Sequence, residues 1–207
     1  MMPLDGVVLA GGSSRRLGQD KALLQFGDAP LLKIVVDRTT QVCDHVVVAV
    51  DRPERYQELR LSAKLVADAA PGLGPISGLQ TGLQACDAEH ILVVACDLPF
   101  LNVELLRFMA DLPRSYQALV PWSADRWQPL CAIYARSCLK VVDAIVSEGG
   151  GSMHQLLERL DVQRLDEKEM RRLDRDGLSF VNLNERSDLD KARAIWKTLP
   201  QRDAARE

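Results

Sequence analysis

Short runs of β-branched and aliphatic residues alternate along the chain with longer stretches in which apolar positions recur every three or four residues. The first texture is that of strands and the second that of amphipathic helices. Their alternation predicts a mostly parallel sheet covered by helices on both faces, a single-domain three-layer α/β/α fold. Strands are expected at Asp5–Ala10, His45–Val50, Lys64–Val66 and Ile91–Ala95, the last apolar at every position and so buried on both faces. Helices are expected at Leu31–Val42, Arg55–Leu61, Ser77–Cys86 and Asn102–Asp111, with Asn102 as N-cap and Glu104 in the first turn.

Beyond Leu112 the pattern loosens. Gln117–Val120 and Cys131–Tyr134 read as strands flanking a polar hairpin or loop, where Trp122 and Trp127 either pack on the sheet edge or line a pocket. Arg136–Ser147 and Met153–Leu160 read as helices parted by Gly149-Gly150-Gly151, a break that suits a mobile loop or one that a ligand approaches. Val162–Leu165 is expected as an edge strand, Glu167–Arg175 as a charged helix or turn, and Leu178–Val181 as a further strand. Ser187, with Asp188 in the first turn, is expected to cap a final helix to Lys197. Residues 1–200 then form one domain and 201–207 a frayed tail.

With 207 residues, 47% of them hydrophobic, the chain can bury one substantial core. A net charge of −3 with acids and bases interspersed argues against a nucleic-acid partner, and no apolar run approaches the ~20 residues of a membrane span. Cys43, Cys86, Cys96, Cys131 and Cys138 lack the spacing of a metal site and read as buried, reduced thiols. The N-terminus shows no charged-then-apolar leader, so a cytoplasmic protein acting on a small molecule is expected.

The chemistry concentrates in four places. The apolar run Val7 to Ala10 passes straight into Gly11, Gly12, Ser13, Ser14, Arg15, Arg16, Leu17, Gly18, Gln19, Asp20 and Lys21. Glycines allow backbone N–H groups to converge on anionic oxygens, and Arg15, Arg16 and Lys21 supply positive charge, so the run reads as a triphosphate cradle rather than a solvated turn. Its spacing is neither that of a Walker loop nor that of a dinucleotide fold. Asp97 follows the strand Ile91–Ala95, with Pro99 fixing the turn, where a doubly wound sheet presents its ligand groups. Asp68 opens a Pro/Gly loop through Gly74 to Gly78 that is suited to wrap a planar base. The segment Asn182-Leu183-Asn184 comes late in the chain.

The first loop closely resembles the signature L-A-G-G-x-S-x-R-M-G-x-D-K of the nucleotidyltransferases that attach a nucleoside monophosphate to molybdopterin, with Leu17 in place of methionine. Asp68 with Pro71 to Leu79, and Asn182 with Asn184, match two further family elements. The resemblance implies a Rossmann-like nucleotidyltransferase fold and a molybdenum cofactor guanylyltransferase, transferring GMP from GTP to molybdopterin and releasing pyrophosphate. It implies Arg15, Arg16, Lys21 and Asp97 as catalytic residues, with Mg2+ on Asp97. It further implies nucleotide-side contacts at Leu9, Ala10, Gly11, Gly12, Gly18, Lys21, Asp51, Asp68, Gly74, Gly78, Asp97, Asn182 and Asn184. Asp68 is expected to accept from guanine N1–H and N2–H2, a donor pair that cytosine lacks. Molybdoenzyme maturation proteins are transient partners that the resemblance allows.

The chain departs from the family at Asp51, where asparagine is frequent, and at Gly149–Gly151, where the family often carries an arginine. Pterin-phosphate charge would then come from Arg126 or Arg136. The rival readings are a molybdopterin cytidylyltransferase, a sugar-phosphate nucleotidyltransferase and a non-catalytic cofactor-binding adaptor. Gly12 and the Asp20-Lys21 pair favour guanylyl transfer, since cytidylyl relatives usually show Ala-Ala-Gly.

Overall fold

In the computed structural model, which describes residues 2–11 and 20–199, β1 (Asp5–Leu9) is buried at all five positions because both of its edges are paired and both of its faces are covered. Its neighbours are β4 (Val46–Val50) on one side and β6 (His90–Ala95) on the other, both parallel to it. Beyond β4 lies β5 (Lys64–Ala67), also parallel. Beyond β6 come the antiparallel β9 (Cys131–Ala135), then β7 (Ala118–Ser123), then β10 (Val162–Asp166) parallel to β7, with β8 (Arg126–Trp127) added to β7. The sheet is thus mixed but mostly parallel, with order β10-β7-β9-β6-β1-β4-β5.

Side chains alternate across it. Val8 and Val94 face one core with α1 (Leu31–Thr39) and α3 (Val103–Asp111), while Val7 and Val93 face the other with α2 (Pro75–Ala85), α4 (Leu139–Ser147) and α5 (Met153–Leu157). The three expected layers result. The chain leaves β1 toward β4 and β5, then returns through α2 to β6 on the other side. This reversal opens a crevice beyond the carboxyl end of β1.

Helix α2 can cross β1 closely because of its glycines. A Cβ on Gly82 would lie 2.5 Å from Val7 Cγ1, and one on Gly78 would lie 3.1 Å from Leu9 Cδ2. Gly78, expected at the ligand, is therefore buried in helix–sheet packing. Val7 is a β-branched residue on a central strand and has no room to yield. Gly82→Ala is accordingly expected to lower stability by about 1–2 kcal/mol, overpacking exceeding the helix-propensity gain of alanine, and to lower Tm by several degrees in a calorimetric scan.

Some expected elements are redrawn. Arg55–Leu61 is two short 3-10 turns, Pro53–Arg55 and Gln57–Leu59. Leu178–Val181 is not a strand but a 3-10 turn over Leu178–Phe180, because the Asp174 carboxylate accepts from the Leu178 and Ser179 amides and Gly177 turns the chain at φ 64°. After the short helix α6 (Glu167–Met170), the last helix, α7 (Arg186–Thr198), is capped by Glu185 rather than Ser187, through a box in which Glu185 and Asp188 each accept the other's backbone N–H. An unforeseen hairpin, β2 (Gln25–Phe26) with β3 (Ala29–Pro30), packs Phe26 edge-on to Trp196 of α7, with ring centroids 4.9 Å apart. All five cysteines are buried with free thiols. Among the described residues no helix is long and apolar enough to cross a membrane.

Candidate active site

The carboxyl ends of four parallel strands deliver the site. β1 ends at Leu9 and Ala10, held by Cys96 N to Leu9 O at 3.0 Å and Ala10 N to Ala49 O at 2.9 Å. Gly11 follows at the mouth of the crevice, where a Cβ would lie 3.9 Å from Asp51 N and 4.0 Å from Asp68 Oδ2. Gly11 thus meets Asp51 and Asp68, which lie forty and fifty-seven positions further along the chain. Gly12, Arg15, Arg16 and Gly18 lie outside the described residues.

Lys21 opens a 3-10 turn, Lys21–Leu23, after this loop. Its ammonium group donates to Asp97 Oδ2 at 3.2 Å and to Asn184 Oδ1 at 3.2 Å, so the glycine-rich run, the Asp97 turn and the Asn182–Asn184 segment meet at one nitrogen. The Leu183 amide donates to Asp97 O at 3.1 Å, which fixes Asn182 and Asn184 beside the aspartate, Asn182 half-buried and Asn184 exposed. Packing of α7 against the β2–β3 hairpin holds this late segment in place, with Leu183 buried in their shared cluster.

The Asp97 side chain is 17% exposed and that of Lys21 19%. Burial pushes the Asp97 carboxyl above its usual range, and the Lys21 charge and hydrogen bond pull it only partway back. Asp97 Oδ1 is buried and has no hydrogen-bond partner among the described residues. An orphaned buried carboxylate oxygen is costly unless a cation or donor completes it. Among the described residues no cluster of three or more His, Cys, Asp or Glu side chains is placed to hold a metal. A single carboxylate nevertheless suits magnesium, which commonly takes one or two carboxylates, substrate phosphates and water.

Asp68 is locked from the helix side. Its Oδ1 accepts from the Ala70 amide at 3.1 Å and from the Ser77 hydroxyl, with Thr81 Oγ1 3.5 Å away, so Oδ2 is the oxygen left facing Gly11. Simultaneous acceptance from two guanine donors would therefore fall mainly on Oδ2. Ser77 and Thr81 lie one helical turn apart and are a part of the site that the sequence reading missed. Gly74, the N-cap of α2, has φ 78° and ψ −159°, a conformation that only glycine adopts readily, and Pro75 then starts the helix with no side-chain cap.

The Gly149–Gly151 loop abuts the Pro/Gly loop, since a Cβ on Gly150 would lie 3.2 Å from Leu73 Cδ2, and Gly149 and Gly150 have φ of 98° and 97°. Trp122 and Trp127 pack edge-on with centroids 5.1 Å apart, and the Arg164 guanidinium stacks over Trp122 at 5.0 Å. Arg126 pairs with Ser123 at the carboxyl end of β7. Arg136 does not reach the site. It follows the antiparallel β9, and its amide and guanidinium donate to Glu89 O and Asp87 O at the opposite end of the sheet.

A domain family described as the MobA-like NTP transferase domain matches residues 6–165. The chain is 34% identical over 195 residues to a probable molybdenum cofactor guanylyltransferase of Pelotomaculum thermopropionicum, covering 94% of each. It is 32% identical over 199 residues to the molybdenum cofactor guanylyltransferase of Desulfosudis oleivorans, covering 95% of this chain and 98% of that one. Among solved structures, molybdopterin-guanine dinucleotide biosynthesis protein A from Archaeoglobus fulgidus superimposes with a TM-score of 0.83 at 27% identity, over 94% of this chain and all of the other.

Proposed function

Because the chain belongs to the molybdenum cofactor guanylyltransferases of the MobA-like NTP transferase family, we propose that it transfers GMP from GTP to the terminal phosphate of molybdopterin and releases pyrophosphate. The observation that carries the reading is the meeting of Lys21, Asp97 and Asn184 at the carboxyl edge of β1 and β6, beside Asp68 and Gly11.

The acceptor phosphate attacks the α-phosphorus of GTP in line. A new P–O bond forms as the bond from the α-phosphorus to the bridging oxygen breaks, and the electron pair leaves with pyrophosphate. The attacking phosphate is already an anion, so no general base and no covalent enzyme intermediate is needed, and positioning and charge compensation supply the catalysis. Lys21, joined by Arg15 and Arg16 on sequence grounds, offsets charge growing on the departing pyrophosphate. Gly11 and Gly12 leave room for the phosphates to approach the backbone. Asp68 Oδ2 accepts from the nucleoside, while Ser77 and Ala70 hold its carboxylate still. Asp97 would hold Mg2+ through its unpartnered Oδ1, and the ion when bound would contribute positive charge at the phosphates. The expected setting is cytoplasmic, with no nucleic acid or membrane partner.

Titration of the protein with GTP, CTP, ATP and UTP in magnesium buffer tests the substrate. GTP is expected to bind tightest, and Asp68→Ala to weaken it by about tenfold or more, the usual loss of a hydrogen bond to a charged group. A preference for CTP would move the protein to the cytidylyl class. GTP binding without pyrophosphate release in the presence of molybdopterin would make it an adaptor.

A further inference from the structure

We infer that Tyr56 is a positioning residue for Lys21, acting through Asp20. The inference rests on the assignment of Lys21 to the triphosphate. Asp20 caps the 3-10 turn that Lys21 opens, its Oδ1 accepting from the Ala22 amide at 3.0 Å. The other oxygen, Oδ2, accepts from the Tyr56 hydroxyl at 2.8 Å and from Arg55 at 2.9 Å. One carboxylate thereby joins the turn bearing Lys21 to the two short turns that follow β4.

The two donors to Oδ2 differ in stiffness. The Arg55 side chain is 42% exposed and contributes a screened surface pair of little energy. Tyr56 is only 2% exposed, its ring packed in the core beneath β4, so its hydroxyl is aimed by buried packing. Burial, together with the hydrogen bond to Asp20 and its charge, raises the phenol well above its ordinary range, and Tyr56 therefore stays a donor at every working pH. Phenylalanine would fill the same core volume, so what tyrosine adds is the bond to Asp20. The segment that Tyr56 anchors also carries Asp51, which lies beside Gly11. The strut thus places the lysine and the nucleoside side of the crevice in one frame.

The test is Tyr56→Phe, alone and combined with Lys21→Met, measured by calorimetric binding of GTP and of GMP and by steady-state turnover. Tyr56→Phe is expected to keep the wild-type circular dichroism spectrum and GMP affinity, and to lose about tenfold in GTP affinity or kcat. In the Lys21→Met background it is expected to cost nothing further, because its effect runs through that lysine. Asp20→Asn, which keeps an oxygen for the Ala22 amide but removes the charge facing Tyr56, is a second arm and is expected to show the same loss for GTP alone. Equal weakening of GMP and GTP, or full additivity with Lys21→Met, would overturn the inference and leave Tyr56 a packing residue. If the wild-type protein selects another nucleoside triphosphate, the guanylyl assignment fails by itself, and the coupling is read with that nucleotide and its monophosphate.

Discussion

Asp97→Asn is expected to lower guanylyl transfer by about a hundred- to a thousandfold or more while raising the melting temperature at pH 7. The first effect follows from the charge and position of the carboxylate. It stands at the end of the central strand, shares Lys21 with Asn184, and presents a buried oxygen that nothing else in the described protein completes. Asparagine fits the same space but brings no charge to a site that must manage phosphate anions. Losses of that order are typical when one preorganised electrostatic group is removed. The second effect follows from burial. Desolvation raises the Asp97 pKa in the folded protein above its unfolded value, so the ionised side chain costs stability. The wild type meets no such cost below the unfolded pKa, near 4, and incurs it as pH rises through the folded value. The melting advantage of Asp97→Asn should therefore be largest at neutral pH and vanish toward pH 3. Paired activity assays and pH-resolved thermal scans separate the two effects. A variant that stays active, or that melts lower than wild type at pH 7, would remove Asp97 from the role given to it.

How much of this was legible beforehand depends on the range of the interaction concerned. The central strands were plain because runs such as Ile91 to Ala95 are apolar throughout, which only burial on both faces explains. Residues 178–181 misled because Leu-Ser-Phe-Val alternates like a strand, whereas the controlling contact is a carboxylate at Asp174 that takes two of its amides. The β2–β3 hairpin is too short to leave a period, and Phe26 packs against Trp196, 170 positions away. Arg136 lies at the far end of the sheet for a topological reason. Sequence shows that a residue follows a strand but not which way that strand runs, and β9 is antiparallel.

The site divides in the same manner. The glycine-rich loop, Asp68, Asp97 and the paired asparagines could each be found from local chemistry, and the fold brings the described ones to one edge. What escaped were the side chains that steady them. Ser77 and Thr81 behind Asp68, and Tyr56 behind Asp20, read locally as ordinary helix or loop residues. Their meaning lies in a partner nine to thirty-six positions away.

Lys21→Met is expected to reduce turnover by about thirty- to a thousandfold, equivalent to about 2–4 kcal/mol of transition-state stabilisation, and at the same time to tighten the binding of a divalent cation to the nucleotide-free protein. The two effects have opposite signs because the lysine can serve two anions, the Asp97 carboxylate and the triphosphate. Its ammonium group lies 3.2 Å from Asp97 Oδ2 and partly neutralises the carboxylate that a cation would need. Methionine keeps most of the side-chain volume and removes that competitor, so a manganese titration followed by paramagnetic resonance should show stronger binding than in wild type. With triphosphate present the balance reverses. The phosphate oxygens offer Lys21 a denser negative charge than one carboxylate does, drawing the ammonium away from Asp97, and methionine forfeits that attraction. GTP binding should then weaken while GMP binding, which lacks the β- and γ-phosphates, should hardly change. Unchanged turnover would remove Lys21 from the triphosphate site. Lost turnover with cation binding unaltered would keep it there but show that its contact with Asp97 does not govern access to the carboxylate.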